Sequence, residues 1–145
     1  MPALGSLIGR RHLATSLVAG AIGVSLIGAV VHAQPAAQAP GVTRADLQRH
    51  DLSIAGWEAV QVRVDFKPGA LAPRHTHPGE EIIYVLKGSI EYQVEGKPPM
   101  TLKAGDVLFV PAGTIHAAKN VGSDNASELA TYVVEKGKPL STPAN

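Results

Sequence analysis

Cysteine is absent from all 145 residues, which removes several kinds of structure and chemistry at once. The chain can form no disulfide, offers no thiolate to a metal and carries no cysteine for a lipid anchor. Aromatic residues are also scarce, at 4% of the chain, so Val, Leu and Ile must fill most of any core. An exported domain of this composition would depend on compact packing or on a bound metal for its stability.

Acidic residues are missing from positions 1–33, and Arg10 and Arg11 are the charged residues near the start of this segment. An uncharged run from Leu13 to Val31 follows, and Val31 and Ala33 are small residues at the two positions that a signal peptidase reads. This layout predicts a signal peptide over residues 1–33, with a mature chain that begins at Gln34. The alternative is an uncleaved membrane anchor, which Gly20, Gly23 and Gly28 disfavour.

No excess of positive charge remains once this leader is removed. The mature chain would carry 11 basic and 12 acidic residues, so no basic surface suggests nucleic acid as a partner. We expect a periplasmic or secreted protein that has no membrane contact after cleavage of the signal peptide.

Helix signals are nearly absent from the mature chain, because Gly and Pro interrupt each stretch before an amphipathic period develops. Residues 57–66 alternate instead, with Val60, Val62, Val64 and Phe66 on one face. Five further strand patterns follow, separated by short turns. We predict an all-β protein, an antiparallel sandwich or barrel over residues 57–135. Residues 34–56 are interpreted as a flexible lead-in that includes either a helical turn or an edge strand, and residues 136–145 as a tail.

Histidine provides the clearest chemical signal. His75 and His77 alternate in an extended segment and therefore point to the same face, and an acid follows four residues after His77. His116 lies beside another Gly and Pro turn, at the start of a later strand pattern. Three imidazoles and one carboxylate would complete four protein ligands for one divalent transition metal. Such ligands suit Fe, Mn, Ni, Cu or Zn.

These histidines belong to two longer motifs that resemble those of the cupin superfamily. The first cupin motif contains a glycine, two histidines, a glutamate and a second glycine at set spacings. This sequence has the same residues at those spacings, at Gly69, His75, His77, Glu81 and Gly88. The second motif has the spacing seen at Gly105, Pro111, Gly113, His116 and Asn120. The resemblance covers residues 57–135, which is most of the mature chain.

The resemblance implies a jelly-roll β-barrel of six to eight strands, with one metal held inside by His75, His77, Glu81 and His116. Cupins include oxygenases, isomerases, decarboxylases and binding proteins, so fold alone does not select an activity. The leading hypothesis is a metal-dependent, dioxygenase-like enzyme that acts on a small organic molecule. The alternatives are a non-catalytic module for a small molecule or a metal, and a structural protein held together by its metal. Homodimerisation is common in this superfamily and is expected here.

Strand parity decides between the adjacent acids Glu80 and Glu81. A carboxylate that joins His75 and His77 should lie on their odd-numbered face, which selects Glu81, with Ile83 and Val85 continuing the interior. The motif spacing also selects Glu81.

Other residues receive structural interpretations. Asn120 is expected to stabilise a turn and His50 to lie on the surface. Tyr84, Tyr92 and Phe109 are expected to belong to the core.

Overall fold

The computed structural model describes residues 39–145, so the predicted signal peptide and the first residues of the lead-in lie outside the described part of the chain. Within residues 39–145, the secondary structure consists of ten strands, β1 Val42–Asp51, β2 Trp57–Phe66, β3 Leu71–Thr76, β4 Gly79–Lys87, β5 Ser89–Val94, β6 Met100–Lys103, β7 Val107–Val110, β8 His116–Asn120, β9 Ala126–Glu135 and β10 Thr142–Pro143. This part of the chain contains no helix with the length and apolar character needed to cross a membrane.

The strands form two five-stranded antiparallel sheets. One sheet has the order β1-β2-β9-β4-β7 and the other has the order β10-β3-β8-β5-β6. The predicted all-β, antiparallel jelly-roll class is confirmed, although ten strands are present where six to eight were expected. Apart from the pairs β1–β2 and β5–β6, consecutive strands lie in different sheets. Residues that are close in sequence, for example on β3 and β4, therefore reach the interior from opposite walls.

The core lies between the two sheets and follows the alternation in the sequence. Val60, Val62, Val64 and Phe66 are each no more than 2% exposed, as the pattern of β2 predicts. Full burial of one such side chain contributes about 1.5–3 kcal/mol through the hydrophobic effect. The strand β2 pairs with β1 on one side and β9 on the other, which makes it a central element of its sheet.

Residues 42–51, for which the sequence allowed a helical turn or an edge strand, form the edge strand β1. The strand pairs along its length with β2 and contains an irregularity between Asp46 and Gln48. Arg44 lies opposite the buried Val64 and is partly buried itself, so this edge strand contributes a charged residue to the interior.

Two aromatic residues that were predicted to belong to the core, on β4 and β7, lie on the outer face of their sheet instead. Tyr92 is buried as expected, but Tyr84 is 46% exposed and Phe109 is 53% exposed. On β4 the inward positions are taken by Glu81, Ile83 and Val85, so the even-numbered Tyr84 must point outward. Phe109 lies opposite Ile82 on the neighbouring strand and shares its outward parity.

Gly79 allows β4 to approach β9 closely. A Cβ atom at this position would lie 2.0 Å from the carbonyl oxygen of Val133 and 2.8 Å from the Cα of Val134. Backbone atoms cannot move away as a flexible side chain can, so only glycine fits. Because Gly79 lies between His77 and Glu81 in the sequence, this close approach sets the position from which β4 delivers the glutamate.

Candidate metal centre

The three predicted histidines meet inside the barrel. His75 on β3 lies directly opposite His116 on β8, and their ring centroids are 4.3 Å apart. His77 follows β3 and its ring centroid lies 4.8 Å from that of His75. One ring nitrogen from each histidine lies within 4.8 Å of the corresponding atoms of the other two, and all three residues are buried. This three-histidine group has the spacing needed to hold a divalent metal.

Backbone carbonyl groups orient each of the three rings. Nδ1 of His75 lies 2.7 Å from the oxygen of Pro73, Nδ1 of His77 lies 2.5 Å from that of Leu140, and Nδ1 of His116 lies 3.0 Å from that of Thr114. A carbonyl oxygen can only accept, so Nδ1 is the protonated donor in every case. In a neutral ring the lone pair then lies on Nε2, which is the tautomer required to bind a metal through that atom.

Glu81 joins the histidines from the facing sheet. Its Oε2 atom lies 3.0 Å from Nε2 of His116 and 3.4 Å from Nε2 of His77. The residue is 3% exposed, and Ile83 and Val85 beside it are fully buried, as strand parity predicts. The structure therefore brings all four predicted residues together, and it directs Glu80 away from them.

Two atoms of this cluster lack the partner that their burial demands. Nε2 of His77 and Oε2 of Glu81 are buried and make no hydrogen bond within the described residues. A nitrogen lone pair that faces a carboxylate oxygen at 3.4 Å is a contact between two acceptors, which is unfavourable unless a cation lies between them. Three imidazoles and one carboxylate are good donors for divalent transition metals, so these residues fit such an ion.

The titration of the cluster without a metal points the same way. Burial, followed by the proximity of His116, lowers the pKa of His75 to about 4, so its ring is neutral at pH 7. Burial raises the pKa of Glu81, but the close contacts with His116 and His77 outweigh burial and hold the net pKa well below its usual range. Burial lowers the pKa of His116, but the contact with Glu81 and its charge outweigh burial and raise the net pKa. In the metal-free protein a proton on His116 therefore takes the place beside the carboxylate that a metal cation would occupy.

Asn120 has the structural role that its position in the second motif suggested. The residue is fully buried, and its Nδ2 donates to the carbonyl oxygens of Phe66 and Asp124 at 3.2 and 2.8 Å. Its Oδ1 accepts from the backbone nitrogen of Gly122 at 2.9 Å. His50 is exposed on β1, away from the interior, as expected.

A polar cavity adjoins the cluster and includes three residues to which sequence analysis assigned no chemical role. Arg44, Tyr92 and Glu128 line it together with His75, Glu81 and His116. The alternation of β9 could have identified Glu128 as an inward-facing residue, because it shares its face with the apolar Ala130, Tyr132 and Val134. The structure has all three of these residues buried. The cavity leaves about 10 Å³ for the centre of a water molecule, which is room for about one water.

Two facing sheets around a buried histidine cluster define a jelly-roll protein with a candidate metal site in its interior. Residues 62–134 match the family model described as a cupin domain. The chain therefore belongs to the cupin family, in agreement with the two motifs around His75 and His116.

Curated proteins that are similar to this chain match it over different lengths. Germin-like protein subfamily 3 member 1 of Arabidopsis thaliana is 35% identical over 113 residues, which are 74% of this chain and 49% of that protein. Dimethylsulfoniopropionate lyase DddQ of Ruegeria pomeroyi is 45% identical over 51 residues, which are 35% of this chain and 25% of that protein. The chain thus spans half or less of the length of these curated relatives.

A solved structure of oxalate oxidase in complex with the substrate analogue glycolate has the same fold. It superposes with a TM-score of 0.58 at 26% identity, over 70% of this chain and 54% of that chain.

The C-terminal residues orient one ring of the cluster, which gives a first prediction. Truncation after Lys138 removes the Leu140 carbonyl that accepts from His77, together with β10, which pairs with Thr76 and His75. We expect metal affinity to fall by about tenfold to a hundredfold, as is typical when the partner that orients a ligand is lost. Competition with a chromophoric chelator would measure the change. Removal of Ala144 and Asn145 alone is the control, and equal affinities for the two truncations would contradict the prediction.

Proposed function

We propose that this protein is an exported, single-domain, metal-dependent enzyme of dioxygenase-like type that acts on a small organic molecule. The observation that carries the proposal is the convergence of three Nε2 atoms and the Glu81 carboxylate beside a polar cavity. A structural metal site needs no such cavity, whereas a site for a reacting ligand does.

Each residue around the cavity has a definite task in this proposal. His75, His77 and His116 would hold the metal through Nε2, and Glu81 would supply the negative charge that partly balances it. When bound, a divalent metal supplies Lewis acidity and coordination positions not taken by protein ligands. The guanidinium group of Arg44 provides a positive charge for an anionic ligand, and no ion pair engages it within residues 39–145. The apolar wall, which includes Phe66 and Ala118, excludes bulk water.

The size of the cavity and the names of the relatives narrow the choice of ligand. Room for about one water molecule, beside the space available to the metal, disfavours bulky aromatic substrates in this conformation. Oxalate oxidase with bound glycolate and dimethylsulfoniopropionate lyase are similar proteins whose named ligands are small acids. We therefore expect a small organic acid as the substrate class.

The test begins with metal analysis of the protein as purified. Oxalate, glycolate and dimethylsulfoniopropionate are then supplied to the protein loaded with Mn, Fe, Ni, Cu or Zn, while oxygen uptake and substrate loss are recorded. Oxygen uptake that requires the metal supports the proposal. Substrate loss without uptake would replace the oxygenase by a lyase or decarboxylase.

A non-catalytic protein is the second candidate, and the small cavity is the observation that favours it. A binding module would bind one of these acids without consuming it. A structural protein whose fold is stabilised by its metal would bind none of these acids, but its melting temperature would fall sharply when the metal is removed.

Export is a separate part of the proposal and rests on the composition of residues 1–33. We expect an intact mass that begins at Gln34 when the full chain is expressed in a bacterium and the periplasmic fraction is analysed. Recovery of the protein in membranes with Leu13–Val31 still attached would show an anchor instead.

A further inference from the structure

Glu128 is a buried acid that the metal cluster does not use. The residue is 4% exposed on β9, and the hydroxyl of Tyr92 on β5 donates a hydrogen bond to its Oε2 atom. No Lys, Arg or His within residues 39–145 forms an ion pair with it. A buried carboxyl group is less stable in such a site than an apolar side chain of similar volume, so folding alone does not account for it.

The carboxyl lies where a ligand at the candidate centre could reach it. Glu128 lines the same cavity as His75, Glu81 and His116, which come from β3, β4 and β8 in turn. Arg44 on β1 also lines that cavity.

Its surroundings favour the protonated form. Burial is the largest cause, and with the nearby charge of Glu81 it raises the pKa of Glu128 to about 8, although Tyr92 and Arg44 act in the other direction. Tyr92, which also lines the cavity, keeps its proton at neutral pH because burial and the charge of Glu128 raise its pKa well above the usual value. Glu128 is therefore the titratable group of the cavity that holds an exchangeable proton near pH 7, outside the metal cluster itself.

We propose that Glu128 donates a proton to the ligand held at the candidate metal centre, and that Tyr92 is the residue that positions its carboxyl group. The inference rests on the proposed function, because it requires a ligand there. In the step, the O–H bond of Glu128 breaks and its proton bonds to a basic atom of the ligand. The electron pair stays on the new carboxylate, which accepts the hydrogen bond of Tyr92 and is stabilised by the nearby positive charge of Arg44. A proton from solvent water then restores the acid.

The test compares Glu128→Gln with Glu58→Gln. Glu58 is a matched control because it is also buried, at 5% exposed, but it pairs with Arg49 outside this cavity. Metal content, turnover and its pH profile are measured for both variants and for the wild type, with whichever of oxalate, glycolate and dimethylsulfoniopropionate the wild type consumes. Carboxyl ¹³C resonances of the metal-free, glutamate-labelled protein give the pKa of Glu128 independently of activity.

We expect Glu128→Gln to retain its metal and to lose about 10²- to 10⁴-fold in turnover, the range typical of a lost general acid. Wild-type turnover should fall as pH rises through about 8, because the donor loses its proton. Tyr92→Phe should lower turnover less than Glu128→Gln does, because the acid remains but its position is less well defined. The fall in turnover at high pH should move to higher pH, because the hydrogen bond that lowers the pKa of Glu128 is lost.

Wild-type turnover and pH profile in Glu128→Gln, or an ordinary carboxyl pKa near 4.5 for Glu128, would overturn the proton-donor assignment alone. A wild type that consumes none of the substrates would overturn the proposed function and this inference together.

Discussion

Replacement of His116 by alanine is expected to remove most of the metal from the purified protein. The change deletes one of three Nε2 ligands and leaves Glu81 without its contact at 3.0 Å. His75 and His77 cannot compensate, because their rings are already held by the carbonyls of Pro73 and Leu140. We expect metal occupancy to fall at least tenfold when it is measured by elemental analysis after dialysis. The melting temperature should no longer rise when metal is added, because a ligand stabilises only the fold that binds it.

His50→Ala is the control for this change. His50 is exposed on β1 and has no metal-binding partner at ligand spacing, so metal content and melting temperature should match the wild type. Wild-type metal content in His116→Ala would instead mean that the second motif is structural, and the four-ligand assignment would fail.

Glu81→Gln is expected to weaken metal binding by more than a hundredfold, whereas Glu80→Gln should weaken it by about tenfold at most. The substitutions are chemically identical and adjacent, so they differ only in where the strand places them. Glu81 is 3% exposed and contacts the rings of His77 and His116, but Glu80 is partly exposed on the other face of β4. A glutamine amide at position 81 would keep the shape of the side chain and remove the charge that attracts the cation.

Titration of both variants with Mn or Ni, against a competing chelator, would measure this difference. Melting temperatures without metal serve as the check on folding. The reverse order of affinities would show that Pro78 and Gly79 shift the strand register in solution and that Glu80 is the ligand.

The parts of this protein that sequence predicted are those that depend on local periodicity and on motif spacing. The alternation of β2 predicted which of its side chains are buried, because a strand sends successive side chains to opposite faces. Parity also selected Glu81 across Pro78 and Gly79, and the structure has the same face buried at Ile83 and Val85. The spacing of the second motif predicted that His116 joins the other histidines, although it lies about forty residues further along the chain.

On β4, the parity that selects Glu81 and Ile83 for the interior already directs Tyr84 outward, so the expectation that Tyr84 belongs to the core was wrong on that same pattern. On β7, where both faces carry apolar residues, parity alone could not show which face is inside. Tyr84 and Phe109 were expected in the core, yet they lie on the outer face of β4 and β7. Their neighbours Ile83 and Leu108 are equally apolar in sequence. Only the packing of one sheet on the other decides which side of such a strand is covered.

Periodicity and motif spacing are properties of the chain, so they were enough to predict the class of fold and the four residues that meet at one point. The groups that surround those four residues could be found only in the folded protein. Arg44, Tyr92 and Glu128 come from β1, β5 and β9, and they share a cavity because two sheets close over it. The Leu140 carbonyl reaches His77 because β10 pairs with β3. A backbone acceptor has no side-chain signature. Strand parity can place an isolated Glu or Arg on the inner face, but it does not show which residues of other strands it meets there.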